Sequence, residues 1–256
     1  MRKGILFLGC SYTWGEGLYF YSDLDDLPFH ENHMFDSENM RETFHAYRKK
    51  YRFARQVADQ LDTWEYTSEI GNGGKNFQLY YFVVIQELMK GNMRYEDFDT
   101  FVWQLSEPMR DFPGGNEKLH NFYTTAEELD DAMDTHLKRE IDVINKCCRD
   151  WEDRGVKVVL LSWPNDYINS RWANKEFKDR YCYINYNDKT YDSISDLYNK
   201  NENVLANDGK TRLCDPPLTI QDDFFNLGYQ KNDRHLNKFG NKIVADSIVK
   251  KIKEYE

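Results

Sequence analysis

A serine follows the first apolar segment of the chain, and an Asp and a His precede its last amphipathic segment. Ser11 comes directly after residues 4–9, which read as a buried strand, and Asp233 and His235 lie in the turn before a predicted closing helix. A hydroxyl nucleophile, an imidazole base and a carboxylate that orients the imidazole form a hydrolytic triad, which is recognised by roles rather than by chain order. These residue types predict acyl transfer through Ser11.

The spelling of the two turns resembles that of the SGNH (GDSL-type) hydrolase superfamily of esterases and lipases. Residues 9–15, Gly-Cys-Ser-Tyr-Thr-Trp-Gly, are similar to the family pattern Gly-x-Ser-x-Thr-x-Gly, and Asp-Arg-His at 233–235 is similar to its Asp-x-His version. The resemblance implies that Ser11 is the nucleophile, His235 the base and Asp233 the orienting acid. Asn232 stands at the acid position of the Asp-x-x-His version and is the alternative orienting residue.

A glycine-rich turn follows the second predicted strand, residues 64–70. In the family, a glycine of this turn donates a backbone N–H to the oxyanion. The resemblance therefore implies an oxyanion hole made of the Ser11 and Gly74 N–H groups. Gly73 is the alternative donor if the match shifts by one residue. Asn76 matches a polar family residue at the start of the next helix. The alternative is an ordinary helix start, which also favours glycines and a capping side chain.

The turn after the third predicted strand departs from the family pattern. Many members carry Gly-x-Asn-Asp there, and the asparagine side chain completes the oxyanion hole, whereas this chain has Ser-Glu-Pro-Met-Arg at 106–110. Three replacements are open: the Ser106 hydroxyl, the Arg110 guanidinium, or Asn76 reaching from the neighbouring turn. Loss of one such donor lowers the rate by about 10²–10³. A surface arginine paired with a neighbouring carboxylate is the alternative for Arg110.

Strand and helix patterns alternate along the chain, which predicts a parallel sheet covered on both faces. The resemblance adds the flavodoxin-like strand order, so the expected fold is α/β, a three-layer α/β/α sandwich with about five strands. Residues 1–256 are expected to form a single domain with loop insertions near 18–44 and 187–230. The predicted strands are 4–9, 64–70, 101–105, 156–162 and one within 181–186; the predicted helices are 45–61, a stretch ending near 89 whose run 80–85 is buried, 125–154, 194–200 and 236–255.

Composition excludes several classes of function. The formal net charge of −10 argues against electrostatic binding of nucleic acid. No apolar leader follows Met1 and no apolar segment has membrane-spanning length, so we expect a cytoplasmic protein without a membrane partner. The five cysteines show no paired metal spacing. Cys10 is the alternative nucleophile, although its side chain should point away from that of Ser11 if the strand continues.

The residues together predict a serine ester hydrolase that works through an acyl-enzyme and needs no metal or organic cofactor. The substrates typical of the family, together with the aromatic residues of the insertions, suggest short acyl esters as substrates, such as acetyl groups on small molecules or carbohydrates. No oligomeric state is assigned. The turn at 9–15 is similar to that of phage-encoded and bacterial members. Two alternatives are a non-catalytic carbohydrate-binding or structural module, which the missing asparagine favours, and an O-acyltransferase with the same triad.

Overall fold

A computed structural model of the chain describes residues 2–15, 18, 46–67, 75–110, 125–201, 236 and 238–256. Within these residues the central sheet has four parallel strands in the order β2-β1-β3-β4. Their bounds are β1 Gly4–Leu8, β2 Glu65–Thr67, β3 Phe98–Leu105 and β4 Lys157–Ser162. All four were predicted, and the parallel α/β class is confirmed.

A fifth position of the sheet lies beside β4. Tyr181 makes an isolated parallel bridge to Leu160, and the Cys182 N–H donates to the Leu160 carbonyl at 2.7 Å. With the Tyr181 bridge counted as the fifth position, the sheet has the flavodoxin-like order 2-1-3-4-5. The rest of the predicted fifth strand forms an antiparallel hairpin instead, β5 (Ile184–Tyr186) with β6 (Lys189–Tyr191). Its two loop residues, Asn187 and Asp188, have φ of 49° and 58°, values that a tight hairpin turn of this kind requires.

Helices cover both faces of the sheet. The longest, α5, begins after Thr125, whose hydroxyl accepts from the Glu128 N–H at 3.1 Å while the Glu128 carboxylate accepts from the Thr125 N–H at 3.2 Å. This reciprocal capping explains why the helix begins there. Residues 46–51 are also helical. The other α-helices of the described residues are α1 Ser11–Trp14, α2 Phe53–Gln60, α3 Asn76–Leu79, α4 Gln86–Lys90, α5 Ala126–Glu152, α6 Asp166–Asn169, α7 Lys175–Arg180, α8 Ile194–Asn201 and α9 Lys238–Lys253.

Strand alternation divides the apolar core into two layers. In β1, Ile5 and Phe7 belong to the cluster that includes residues of α2 and α9. Leu6 and Leu8 belong to the opposite cluster, which contains the buried apolar residues of α5 and of the stretch 76–90. Because successive side chains of a strand point to opposite faces, one strand contributes to both layers. The molecule is therefore a three-layer α/β/α sandwich, as predicted.

One prediction about burial is wrong. The run 80–85 was expected to be buried throughout, but it forms a π-helical segment, Tyr80–Ile85, between α3 and α4. Tyr80 and Val84 face the core, whereas Tyr81 and Phe82 are 50% and 43% exposed. A helix that covers one face of a sheet turns some of its residues outward, however apolar the run is. Among the described residues, no helix is both long and apolar enough to span a bilayer.

Candidate active site

The carboxyl ends of β1 and β3 define a crevice in the sheet. After β1 the chain passes to α2 on one face, and after β2 it passes to α3 on the opposite face. β1 and β3 are adjacent, although β2 lies between them in sequence. This is the topological switch point at which open α/β sheets bind ligands. Ser11 follows β1 and Ser106 follows β3, so both hydroxyl-bearing turns lie at this crevice.

The turn that carries Ser11 is held by a buried glutamine of β3. The Oε1 atom of Gln104, a residue 1% exposed, accepts from the Cys10 N–H and from the Thr13 hydroxyl, each at 3.1 Å. Ser11 lies between these two attachment points as the first residue of α1. A Cβ added to Gly9 would lie 2.1 Å from Thr13 Oγ1. The turn therefore requires glycine before Cys10 and an acceptor at position 104.

Replacing Gln104 by leucine is expected to lower the free energy of unfolding by about 1–3 kcal/mol, because the buried Cys10 N–H and Thr13 hydroxyl would lose their acceptor. Urea denaturation measures the change. Gln60→Leu is the matched control: Gln60 is exposed and donates to Asp246 at 2.9 Å on the surface, so its effect should stay within about 0.5 kcal/mol. Equal effects of the two substitutions would contradict the role given to Gln104.

Cys10 is a poor candidate for the nucleophile. Its side chain is 2% exposed and belongs to the apolar cluster between the sheet and helices α2 and α9. Burial raises the pKa of the Cys10 thiol, and hydrogen bonds and the Arg110 guanidinium only partly oppose this rise. Because the thiolate is the reactive form of cysteine, a buried thiol with a raised pKa is inert. The serine remains the candidate nucleophile of this turn.

Two predicted site residues from different turns contact each other directly. Asn76, at the start of α3, accepts through Oδ1 from the Ser106 N–H at 2.8 Å and from the Ser106 hydroxyl at 3.2 Å. Its Nδ2 donates to the hydroxyl of Tyr167 at 2.7 Å. Asn76 and Ser106 are each 1% exposed. The asparagine therefore joins the turns that follow β2, β3 and β4.

A buried carboxylate supports this connection from behind. Tyr167 donates its hydroxyl proton to Glu140 Oε2 of α5, and Glu140 is 1% exposed. His136, one turn earlier in α5, places Nε2 at 3.3 Å from Glu140 Oε1 and at 3.0 Å from the Pro108 carbonyl oxygen. Because a carbonyl only accepts, His136 Nε2 carries the proton. The network ties α5 to the turn after β3.

Arg110 ends a short 3₁₀ turn, Pro108–Arg110, at the same edge of the sheet. Its backbone N–H donates to the Glu107 carbonyl at 3.1 Å, and its Nε lies 3.4 Å from a Glu107 carboxylate oxygen. The alternative stated for Arg110, pairing with a neighbouring carboxylate, is therefore observed for its Nε atom. The Nη1 atom is buried and makes no hydrogen bond within the part of the chain that the structure describes.

The turns after β1 and β4 are joined by an aromatic pair. The rings of Tyr12 and Trp163 are stacked, with centroids 4.2 Å apart and an interplanar angle of 16°. The Trp163 N–H donates to the Leu105 carbonyl at 2.9 Å, and the Trp163 carbonyl accepts from the Ser195 N–H at 2.9 Å. Trp163 thus links the residue that follows Ser11 to the ends of β3 and β4.

Three predicted site residues, Gly74, Asp233 and His235, lie outside the described residues, and so does Asn232. The next described residue, Leu236, is 2% exposed and shares an apolar cluster with Cys10 and Tyr12. Its carbonyl accepts from Asn241 Nδ2 at 2.9 Å. The same asparagine accepts through Oδ1 from the Phe53 N–H at 2.9 Å, at the start of α2. The amino end of α9 is thereby tied to the helix that follows the Ser11 turn.

Sequence reasoning missed the residues that hold the site together. Gln104 lies within the predicted apolar strand 101–105. A single amide in such a run indicates a structural role, because a buried polar group needs a hydrogen-bond partner. Tyr167 lies in the short helix after the fourth strand. At this end of a parallel sheet, a residue that contacts a ligand or connects two turns is expected. Glu140 and His136 gave no comparable signal, because both read as polar positions of an amphipathic helix.

No protein-family model matches the chain, and no curated protein matches it in sequence. Among solved structures, the chain is similar to a carbohydrate esterase family 2 enzyme with a carbohydrate-binding domain from Corynascus thermopiles (Myceliophthora fergusii), with a TM-score of 0.42 and 12% sequence identity. The match covers 99% of this chain and 66% of that protein, so the chain spans about two thirds of its length.

Proposed function

We propose that the protein is a serine ester hydrolase that works through an acyl-enzyme formed on Ser11. The observation that carries this proposal is the place of Ser11: directly after β1, at the β1/β3 switch point, in a turn held by Gln104. A serine at this edge of a parallel sheet is where a substrate carbonyl can reach it. Leu236, which lies between His235 and α9, supports the proposal, because it shares an apolar cluster with Cys10 and Tyr12, the neighbours of Ser11.

In the proposed reaction His235 takes the proton of the Ser11 hydroxyl as Oγ bonds to the ester carbonyl carbon. The π electron pair of the carbonyl moves onto its oxygen, which receives hydrogen bonds from the Ser11 and Gly74 N–H groups, with the Asn76 amide as one candidate for a third donor. Asp233 orients the imidazole and stabilises the imidazolium. Collapse of the intermediate expels the alcohol, which takes the proton from His235. Water then releases the acid by the same steps in reverse order.

Short acyl esters, such as acetyl groups of small molecules or carbohydrates, are the proposed substrates. The proposed chemistry needs no metal or organic cofactor, since the serine supplies the nucleophile and the imidazole moves the proton. Transfer of the acyl group to a sugar hydroxyl would use the same residues, and analysis of the products distinguishes it from hydrolysis. A non-catalytic module remains the competing function, which the missing asparagine after β3 favours.

A fluorophosphonate probe separates the enzyme from the non-catalytic module. We expect one covalent adduct per chain by intact mass, mapped by digestion to the peptide that contains Ser11, because an activated serine displaces fluoride from phosphorus. Ser106→Ala is the matched control, since it removes the hydroxyl that follows β3, leaves Ser11 in place and should leave labelling intact. Absence of an adduct on the parent protein, or an adduct on a different serine, would reject the proposed nucleophile.

A further inference from the structure

The third donor of the proposed oxyanion hole can be sought among the three candidates that the sequence leaves open. Ser106 gives its hydroxyl proton to Asn76 Oδ1 at 3.2 Å. Asn76 gives one of its amide protons to Tyr167 at 2.7 Å. Both side chains thus use hydrogen-bond donors to connect the turns at this edge of the sheet. Arg110 differs from both, because a guanidinium carries five N–H groups and no acceptor.

The Nη1 atom of Arg110 is buried and donates no hydrogen bond to the described residues, while Nε faces Glu107 at 3.4 Å. A buried donor without an acceptor is costly, more so when it is charged, and native structures tolerate few of them. A ligand oxygen at Nη1 would remove this cost. The side chain as a whole is 32% exposed, so Arg110 borders solvent although its Nη1 atom is buried.

The position of Arg110 is fixed by the same network that holds the crevice. The Pro108 carbonyl, at the start of its 3₁₀ turn, accepts from His136 Nε2 at 3.0 Å. Ser106, which precedes that turn, is held to Asn76 at 2.8 Å. Burial raises the pKa of the Cys10 thiol, the residue before Ser11, and the positive charge of Arg110 only partly opposes this rise. Because β1 and β3 are adjacent parallel strands, Arg110 lies at the same edge of the sheet as the Ser11 turn.

We infer that Arg110 is a catalytic residue whose Nη1–H donates to the carbonyl oxygen of the ester as that oxygen becomes an oxyanion. This inference rests on the proposed function and adds a donor to it. No proton is transferred in this contact: the π electron pair moves onto oxygen, and the guanidinium stabilises the charge that develops. Arg110 thereby takes the place of the asparagine that family members carry after the third strand. A preorganised donor of this kind acts mainly on the transition state.

Kinetics with a neutral ester test the inference, because such an ester offers no other negative charge to an arginine. We expect Arg110→Gln to lower kcat for p-nitrophenyl acetate by about 10²–10³ with little change in KM, the pattern of an interaction made only in the transition state. Arg110→Lys should recover part of the loss, since lysine keeps the charge but not the planar fork. Arg171→Gln is the matched control, because Arg171 is exposed and paired with Asp134 on the surface.

Inhibition by a trifluoromethyl ketone, which forms a tetrahedral oxyanion on the nucleophile, gives a second measurement. Its inhibition constant should rise across the Arg110 variants in proportion to the loss of kcat/KM. Thermal melting checks that the variants fold. An Arg110→Gln variant that folds and keeps the kcat of the parent would overturn the inference.

A loss confined to the KM of the anionic ester mono-p-nitrophenyl succinate would also overturn it, by showing that Arg110 holds a charged substrate group instead. If the parent protein is neither labelled by the fluorophosphonate nor active, the proposed function fails and the inference fails with it. If the parent is labelled and active but Arg110→Gln is equally active, only the inference fails.

Discussion

Replacement of Ser11 by alanine is expected to lower kcat for p-nitrophenyl acetate by about 10⁴–10⁶, because the acyl-enzyme can no longer form. Alanine removes only the hydroxyl from a buried position. The Gln104 contacts to Cys10 and Thr13 do not involve the Ser11 side chain, so the turn should persist. Steady-state kinetics over a range of substrate concentrations, together with burst experiments on the parent protein, measure the effect.

The comparison must be quantitative, because loss of one triad member leaves a residual ~10³–10⁴ over water from the oxyanion hole and binding. Ser106→Ala serves as the control for loss of a hydroxyl at the same sheet edge, and its effect should be far smaller. The proposed function would be abandoned if Ser11→Ala hydrolysed the ester as fast as the parent protein, or if neither protein showed any turnover.

Asp233→Asn is expected to lower kcat by about 10⁴, because an amide in place of the carboxylate favours the wrong imidazole tautomer and no longer stabilises the imidazolium. The substitution keeps the size of the side chain, so a loss of this magnitude would report on the charge and the acceptor rather than on packing. The kcat of the variant at several pH values is the measurement.

Asn232→Ala is the matched control, because Asn232 is the competing orienting residue at the alternative spacing. It should retain most of the parent's kcat if Asp233 orients His235. The reverse result, a large loss in Asn232→Ala and a small one in Asp233→Asn, would move the orienting role to Asn232 and refute the assignment of Asp233.

The parallel sheet shows which features local sequence can predict. The strands 4–9, 101–105 and 156–162 were evident because a strand buried on both faces is a continuous apolar run. The observed β1, β3 and β4 match them closely. The helical run at 80–85 shows the limit of the same reasoning. Apolar residues there indicated burial, but their direction depends on helical rotation, and Tyr81 and Phe82 face outward.

The candidate site divides in the same way. Ser11 was predicted from its place after the first strand, because parallel strands bring their carboxyl ends to one edge. Asn76, Ser106 and Arg110 were predicted from the comparison of the next two turns with the family pattern. Their mutual contacts were not predictable. The hydrogen bond from the Ser106 N–H to Asn76, for example, joins residues 30 positions apart in the sequence. The periodicity of apolar residues does not predict contacts between the side chains of different turns.

By itself, the sequence determined the alternation of strands and helices, the edge of the sheet where polar residues collect, and the residue types available there for acyl transfer. These features are local, since they follow from the period of apolar residues and from the chemistry of single side chains. Only the tertiary structure decided that Gln104 holds the Ser11 turn, that Glu140 supports Asn76 through Tyr167, and that the buried Nη1 of Arg110 has no acceptor among the described residues. Those outcomes depend on packing between distant segments, which sets the distances and the burial that give each polar group its partner.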